Sequence, residues 1–378
     1  MRTLLLLISL GIAAASSAQS PNPLVAPPPA IAARSFLLLD YHSQQALAGQ
    51  APNERIEPAS LTKLMTAYLT FAALKEKQIQ LTQAVPVSER AWKAEGSRMF
   101  IEPRKPVTVE ELMRGMIVQS GNDACIALAE LIAGSEEAFA KMMNAQAQRL
   151  GMKNTNFMNA TGLPNPQHYS TAQDLALLAI AIIRDFPEYH PLYAMKEYRY
   201  NNVTQANRNR LLWTDPTVDG MKTGYTENAG YCLITSAKRG ERRLVSVVLG
   251  TASESARAAE SQKLLNYGFQ YYDSVKLYEK NQPIANLPVW KGAANSVKAG
   301  FLNDLYVSLP KGQADKMKAN LESRQPLLAP VAAGQKIGVM KLMLDGKPYA
   351  ELPVVALEDV ALAGILGRGW DSIRLLFK

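Results

Sequence analysis

Strand patterns and helical patterns occupy separate parts of this 378-residue chain, and their order restricts its possible folds more than any other feature. Ser35–Leu39 and Ala46–Gln50 form a hairpin pattern around a polar turn. From Ser60 to Asp185 the apolar residues follow helical spacing instead. Strand patterns return at Val218–Thr223, Tyr231–Ser236 and Leu244–Leu249, before one long helical pattern at Ser255–Tyr272. An antiparallel sheet flanked by helices, of the α+β class, accounts for this order.

Side-chain caps predict where several of the helices begin and end. Thr108 and Glu111 form a capping box, so a helix begins there and should end before Ser120. Ser170 and Gln173 form a second capping box at the start of the helix that runs to Asp185. Two more helices are predicted at Asp123–Ala133 and Ser135–Gly151.

Short strand patterns dominate after Val275 and indicate a second, all-β domain. The clearest of them flank Asp345-Gly346, a dipeptide typical of two-residue hairpins. The sequence therefore predicts five segments: a signal peptide at 1–18, a Pro-rich linker at 19–30, a main α+β domain at 31–274, a small β domain at 275–361 and an amphipathic tail at 362–378.

The N-terminus has the composition of a secretory signal peptide. Arg2 precedes an apolar run from Leu4 to Ala15, small residues follow, and we expect cleavage after Ala18. The run is shorter than the ~20 residues that a membrane-spanning helix needs. A buried N-terminal helix is the alternative, but the prolines from Pro21 onward would interrupt it. The sequence therefore predicts an exported protein.

The tail has the pattern of a short, basic amphipathic helix. Its apolar face comprises Ile365, Leu366, Trp370, Ile373 and Phe377. Such a helix with a Trp is typical of peripheral attachment to a membrane surface, and packing against the β domain is the alternative. The net charge of +8 favours anionic lipid or wall polymer as neighbours, whereas no basic run with interleaved aromatic residues indicates nucleic-acid binding.

The cysteines and histidines do not indicate a disulfide scaffold or a metal centre. Cys125 and Cys232 both lie in apolar stretches, as small buried residues do. A single disulfide between them is the alternative. His42, His168 and His190 lack the spacing of metal ligands. We therefore expect no metal and no other cofactor.

A serine with a lysine three residues later is the first motif that carries chemistry. A serine hydroxyl becomes a nucleophile when a base takes its proton, and residues i and i+3 share one face of a helix. Ser60 and Lys63 have this spacing where a predicted helix begins. Ser308 and Lys311 repeat it, but Pro310 denies that pair a helix. Only Ser60 is therefore a candidate nucleophile of this kind.

The tripeptide Lys222-Thr223-Gly224, on a predicted strand, is the second motif. A lysine acts as a base only when burial or a nearby cation destabilises its ammonium form, and Lys222 is the cation that the sequence offers. Thr223 can bond a substrate carboxylate that Lys222 attracts. Gly224 would let a substrate backbone approach the strand.

The third motif, Ser120-x-Asn122, lies between two predicted helices. The Ser120 hydroxyl can relay a proton to a leaving amine, and the Asn122 amide can hold a substrate carbonyl. Alone, the motif is equally typical of a helix cap. Three motifs in the order SxxK, SxN and KTG, each at the end of an element, predict an acyl-transfer site.

These motifs resemble those of the D-alanyl-D-alanine carboxypeptidases, the low-molecular-mass penicillin-binding proteins among the penicillin-recognising serine acyl-enzymes. The residues at 120–125, 207–213 and 218–224 also resemble the corresponding sequence segments of the family. The resemblance implies that 31–274 is the penicillin-binding domain of a periplasmic enzyme attached to the outer face of the inner membrane. It also implies a peptidoglycan pentapeptide as substrate and β-lactam antibiotics as inhibitors.

The resemblance assigns roles to the site residues. Ser60 would be acylated by the penultimate D-alanine, with Lys63 as general base, and the terminal D-alanine would leave. The oxyanion would lie between the backbone N–H groups of Ser60 and Tyr225, and Arg257 would steer the terminal carboxylate. Water would then hydrolyse the acyl-enzyme.

Two departures from the family and several alternatives leave questions open. Tyr225 stands where some relatives carry His, and the loop Ser88–Phe100 is shorter, which leaves substrate preference and deacylation rate undecided. An endopeptidase would use the same residues. A weak β-lactamase is a further alternative, although 154–172 contains no Glu of the kind that class A β-lactamases use. Intact motifs argue against an inert wall-binding protein, and the missing G-x-S-x-G argues against a lipase-like esterase.

Overall fold

The computed structural model describes residues 26–375, so the predicted signal peptide and the first part of the linker lie outside the described residues. The strands up to residue 251 are β1 (Ser35–Asp40), β2 (Ala46–Gln50), β3 (Ala84–Val85), β4 (Val107–Thr108), β5 (Glu197–Tyr200), β6 (Val203–Ala206), β7 (Val218–Thr226), β8 (Gly230–Arg239) and β9 (Arg242–Thr251). The helices of this part are α1 (Lys63–Lys75), α2 (Glu89–Trp92), α3 (Val109–Val118), α4 (Asn122–Ala133), α5 (Glu136–Arg149), α6 (Ala172–Asp185), α7 (Leu211–Thr214) and α8 (Glu254–Tyr271).

A five-stranded sheet in the order β2-β1-β9-β8-β7 forms the centre of this part, with antiparallel neighbours throughout. Leu37 and Leu39 face the core that the sheet shares with α1, α3, α4 and α6. Phe36 and Leu38 face a second core against α8. Because both faces are covered, β1 is apolar and buried along most of its length instead of alternating. The predicted α+β class, with helices flanking an antiparallel sheet, is confirmed.

The helix caps match the sequence at one position and differ at another. Thr108 and Glu111 form the predicted capping box at the start of α3. The second prediction was wrong by one residue, because the Thr171 hydroxyl, not Ser170, accepts the N–H of Asp174 at the start of α6 (3.1 Å). Ser170 instead continues an extended segment that pairs with Ile56.

The chain after α8 forms a second, mainly β part. Its elements are β10 (Tyr272–Tyr278), β11 (Ala285–Trp290), β12 (Ser296–Gly300), β13 (Leu305–Pro310), β14 (Met317–Ser323), β15 (Leu327–Leu328), β16 (Lys336–Leu344), β17 (Lys347–Ala356) and the final helix α9 (Ile365–Leu375). Six of these strands form a sheet in the order β14-β16-β17-β12-β11-β15, and β10 pairs with β13. Asp345 and Gly346 both have positive φ between β16 and β17, as the predicted two-residue hairpin requires.

The sequence patterns do not predict the hairpin β5–β6 or the strand β14. β5 and β6 are only four residues long, and β14 has no buried residue although its apolar and polar residues alternate.

The second serine–lysine pair lies where the two parts of the chain meet. Ser308 is in β13, and its hydroxyl hydrogen-bonds the Ser43 hydroxyl at 2.7 Å. Its backbone N–H donates to Gln45 (2.6 Å). His42 stacks on Tyr306 beside it, with 4.6 Å between ring centroids. Ser308 therefore contributes to the contact between the two parts, and no helix places Lys311 against its hydroxyl.

Two questions that the sequence left open concern the cysteines and the membrane. Cys125 in α4 and Cys232 in β8 are both buried and free, so they are not bridged. Within residues 26–375, no helix has the length and apolar content to span a bilayer.

Candidate active site

The 3₁₀ turn Ala59–Thr62 presents Ser60 immediately before α1. Lys63 is the first residue of α1, and its Nζ lies 2.9 Å from the Ser60 Oγ. The same Nζ donates to the Thr161 carbonyl at 2.5 Å. The Lys63 side chain is almost completely buried, so its amine is held between these two oxygens.

Two glycines allow neighbouring segments to pack closely on this turn. Gly162 has φ +84°, and a Cβ there would lie 1.8 Å from the Ala59 carbonyl oxygen. A Cβ on Gly224 would meet the Pro58 carbonyl at 3.2 Å and Ala59 at 3.3 Å. The sequence assigned Gly224 to close approach by substrate. The structure shows instead that its missing side chain faces the turn that carries Ser60.

The third motif, Ser120-x-Asn122, lies in the loop between α3 and α4. Ser120 has φ +67°, and its hydroxyl is buried without a hydrogen-bond partner among residues 26–375. The Asn122 side chain donates to the Glu95 carbonyl, and its backbone N–H donates to the Ser97 carbonyl, both at 2.6 Å. Asn122 therefore ties the loop Ser88–Phe100 to the rim of the site.

The second motif, Lys222-Thr223-Gly224, lies on β7, the edge strand of the central sheet. The Lys222 side chain is buried, and its Nζ donates to the Thr223 carbonyl at 3.0 Å. Arg257 in the first turn of α8 donates to the Gly224 carbonyl (3.3 Å) and pairs with Glu254 (3.5 Å). Two consecutive carbonyls of β7 therefore each accept from a cationic side chain.

One cleft of about 300 Å³ brings the predicted site residues together. Those that line it are Ser60, Ser120, Asn122, Thr223, Gly224, Tyr225 and Arg257. Lys63 and Lys222 are buried close by and contact Ser60 and Thr223.

Two further cleft residues were not predicted from the sequence. Thr161 acts through its backbone carbonyl, which no side-chain pattern reveals. Arg208 also lines the cleft, and its carbonyl accepts from Arg257 (3.5 Å). The run 207–213 was singled out from the sequence, but nothing in it marked this arginine as a cleft residue.

Burial, rather than the neighbouring lysine, does most to lower the pKa of Lys63. Burial lowers the pKa of Lys63 to about 8, and the charge of Arg208 also acts in that direction. Burial likewise lowers the pKa of Lys222 well below its usual range, with Lys63 as the largest charge that adds to the effect. Lys222 was predicted to be the cation that makes Lys63 a base, but burial is the largest cause of the lowered Lys63 pKa and Arg208 is the charge that adds to it.

The fold and site together define a penicillin-recognising serine acyl-enzyme: a serine in contact with a buried lysine, a second hydroxyl, and cationic side chains bound to an edge strand. The family model "D-alanyl-D-alanine carboxypeptidase" (peptidase S11) matches residues 22–253, and "Penicillin-binding protein 5, C-terminal domain" matches 272–362. The chain belongs to the D-alanyl-D-alanine carboxypeptidase family, as its motifs predicted.

Curated relatives and solved structures agree with this assignment. The chain is 42% identical to D-alanyl-D-alanine carboxypeptidase DacC of Escherichia coli K12, over 92% of this chain and 89% of the relative. It is 43% identical to DacA of Haemophilus influenzae, over 93% and 91%. The solved penicillin-binding protein 5 of Haemophilus influenzae superposes with a TM-score of 0.85 at 42% identity, covering 89% of this chain and 99% of that one. The chain is accordingly a serine-type D-Ala-D-Ala carboxypeptidase, a hydrolase that acts on peptidoglycan.

Proposed function

We propose that Ser60 is the residue acylated by the substrate and that Lys63 is the base that activates it. The observation that carries the proposal is the 2.9 Å contact between the Lys63 Nζ and the Ser60 Oγ, made by an amine whose pKa burial lowers to about 8. A lysine with that pKa is partly neutral near pH 7 and can accept a proton.

Acylation begins when the Ser60 Oγ attacks the carbonyl carbon of the penultimate D-alanine, while its proton passes to the Lys63 Nζ. The oxyanion lies between the backbone N–H groups of Ser60 and Tyr225. The C–N bond then breaks, and the terminal D-alanine leaves as an amine that receives, through Ser120, the proton that Lys63 took from Ser60. An ester on Ser60 remains. The unpartnered Ser120 hydroxyl supports this role, because it has no competing contact in the described part of the chain.

The terminal carboxylate of the substrate binds at the free edge of β7. Thr223 lines the cleft there, and Lys222 and Arg257 supply positive charge. Asn122 holds the substrate on the facing rim through its side-chain carboxamide. One N–H of that group already donates to the Glu95 carbonyl. Water then attacks the ester carbonyl and gives a proton to the neutral Lys63 amine. Lys63 passes this proton to the Ser60 Oγ as the ester C–O bond breaks, and the shortened peptide is released.

The decisive experiment measures D-alanine release from diacetyl-Lys-D-Ala-D-Ala by the purified mature protein. Wild type should release D-alanine, whereas Ser60→Ala and Lys63→Ala should not. A cross-linked D-alanyl dimer, tested in parallel, separates a carboxypeptidase from an endopeptidase. D-alanine release by Ser60→Ala at the wild-type rate would refute the assignment of the nucleophile.

We also propose that β-lactam antibiotics acylate Ser60. A penicillin-binding protein of Listeria monocytogenes, solved in an ampicillin-bound form, supports this: it is 30% identical with a TM-score of 0.60, over 64% of this chain and all of that one. A fluorescent penicillin should label wild type and not Ser60→Ala. Because 154–172 contains no Glu, we expect slow release of the label. Rapid turnover would instead identify a weak β-lactamase.

Export and peripheral membrane attachment are part of the same proposal. The composition of 1–18 supports export to the periplasm. The exposure of α9 supports attachment, because Leu366 is 91% exposed and Trp370 65% exposed, while the opposite face contacts the β sheet through Asp371 and the backbone N–H of Lys291 (2.6 Å). A helix that packed only on its own domain would bury those apolar residues instead.

Fractionation tests the attachment. Deletion from Ala363 should move the protein from the membrane of the host cell to the soluble fraction. Leu366→Glu should do so as well, whereas Ser372→Glu adds the same charge to the other face and should not. An unchanged distribution after deletion would refute the anchor.

We retain the division between a carboxypeptidase domain at 31–274 and a β domain at 275–361 as a proposal. The two family models, which match 22–253 and 272–362, support it. So do the three buried clusters of apolar residues, of which two lie before the boundary and one after it. Calorimetric unfolding should resolve two transitions if the division is right, and a single two-state transition would contradict it.

A further inference from the structure

The turn 159–162 carries the carbonyl that accepts from Lys63, and its own side chains fix its shape. The Asn159 Oδ1 accepts from the backbone N–H groups of Thr161 (3.2 Å) and Gly162 (2.7 Å). It also accepts from the Thr161 hydroxyl (3.0 Å). The carbonyl that faces Lys63 is therefore part of a hydrogen-bonded unit.

Glu136, the first residue of α5, holds this turn from outside the cleft. Its Oε1 accepts the backbone N–H of Ala160 at 3.0 Å, and its Oε2 pairs with Arg90 at 2.5 Å. Its side chain is only 6% exposed. Glu137 pairs with the same arginine at 2.7 Å, but it is 66% exposed, and within residues 26–375 its side chain makes no hydrogen bond to the turn.

We propose that Glu136 is a positioning residue for acylation, which acts through Ala160 to hold the Thr161 carbonyl against the Lys63 amine. The inference rests on the proposed function, because it requires Lys63 to be the base.

The physical reason is the charge that Lys63 gains during the reaction. When Lys63 accepts the Ser60 proton it becomes a buried cation, and no carboxylate contacts it within residues 26–375. The Thr161 carbonyl accepts a hydrogen bond from that ammonium group. Glu136 adds negative charge behind the same turn, and this charge raises the pKa of Lys63 against the larger lowering by burial. Glu136 thus holds the Thr161 carbonyl in place and adds a negative charge that favours the protonated form of Lys63.

Several other groups face Lys63 from the surrounding elements. They are Asp123 and Cys125 on α4, Lys222 on β7, Arg208 and His168. Asp123 is the other carboxylate, but its oxygens accept the backbone N–H groups of residues 99–101 and so hold the opposite loop. Glu136 is the carboxylate that bonds the turn in contact with the Lys63 amine.

Glu136→Gln and Glu137→Gln form a matched pair, because each removes one carboxylate from Arg90 and only the first touches the turn. The assay is the second-order rate of acylation by a fluorescent penicillin from pH 5.5 to 9. Loss of the Glu136 charge lowers the pKa of Lys63, so the acid limb of Glu136→Gln should move down by about 0.5 pH unit. The plateau rate should fall about fivefold because the carbonyl is less well held. Glu137→Gln should match wild type.

A Glu136→Gln profile that superimposes on that of Glu137→Gln would overturn the proposal. Glu136→Asp retains the charge and shortens the side chain, so its acid limb should stay near that of wild type while its plateau rate falls. The same variant replaces Glu136→Gln in the test if Glu136→Gln does not fold. Lys63→Ala distinguishes a failure of the proposed function from a failure of the role proposed for Glu136. Acylation by Lys63→Ala would refute the proposed function, whereas an inactive Lys63→Ala beside an unshifted Glu136→Gln refutes only the role of Glu136.

Discussion

The pH dependence of acylation provides the most direct test of the site, because it reports the protonation of Lys63. The amine must be neutral to accept the Ser60 proton, and burial lowers its pKa from 10.5 to about 8. With that pKa, roughly half of the protein has a neutral Lys63 at pH 8, about a tenth at pH 7 and about a hundredth at pH 6. An unperturbed lysine would be neutral in only about three molecules in ten thousand at pH 7. Burial therefore raises the reactive fraction about 300-fold.

The expected profile is a tenfold fall in the second-order acylation rate for each pH unit below about 7.5 and a plateau above about 8.5. Stopped-flow mixing with a fluorescent penicillin measures it, and thermal unfolding at each pH shows that the fold is intact. The sign is fixed, because a base that loses activity on protonation gives an acid limb. A rate already constant at pH 6, or one that still rises at pH 10, would refute a Lys63 base with its pKa near 8.

Three further predictions concern residues around the cleft. Gly162→Ala should lower the melting temperature and abolish acylation, because its Cβ would lie 1.8 Å from the Ala59 carbonyl; a fully active variant with an unchanged melting temperature would contradict this packing. Arg257→Gln should lower kcat/KM for a peptide with a free terminal carboxylate by about 10- to 100-fold, because a charge-assisted contact is lost. An ester substrate without that carboxylate should show no such loss. Equal losses on both substrates would refute carboxylate recognition. Ser308→Ala should retain wild-type D-alanine release, since its hydroxyl only joins Ser43, and an inactive but folded variant would contradict that reading.

The catalytic side chains were predictable from the sequence because their chemistry requires particular residue types at fixed spacings. Ser60 and Lys63 needed only a helical start to become neighbours, and Pro310 was enough to exclude the second pair. Arg257 was placed only through the resemblance to the family. The structure adds the mutual distances, which no spacing along the chain could supply for residues on separate elements.

The rest of the site was hidden for physical reasons. The Thr161 carbonyl belongs to every residue type, so its contact with Lys63 has no sequence pattern. The packing of Gly224 on the turn that carries Ser60 was not foreseen, because the direction in which a missing side chain would point depends on the register of β7. The pKa of Lys63 depends mainly on how completely the surrounding helices exclude water, and sequence reasoning named the neighbouring charge of Lys222 instead.

The burial that lowers the pKa of Lys63 also destabilises the folded state. A lysine whose pKa falls from 10.5 to about 8 on folding destabilises the protein at neutral pH by about 3 kcal/mol relative to a solvated lysine. The unfolded chain binds more protons between those two values, so this contribution to stability rises from pH 8 to pH 10.5 and is fully unfavourable below pH 8. Lys63→Met removes the buried amine and leaves the Thr161 carbonyl without its donor, a loss of about 1–3 kcal/mol. The two effects nearly cancel, so Lys63→Met should be inactive yet melt close to wild type at pH 7 and should lose the rise in stability above pH 8. A variant that melts far below wild type at pH 7 would show that the amine stabilises the site instead.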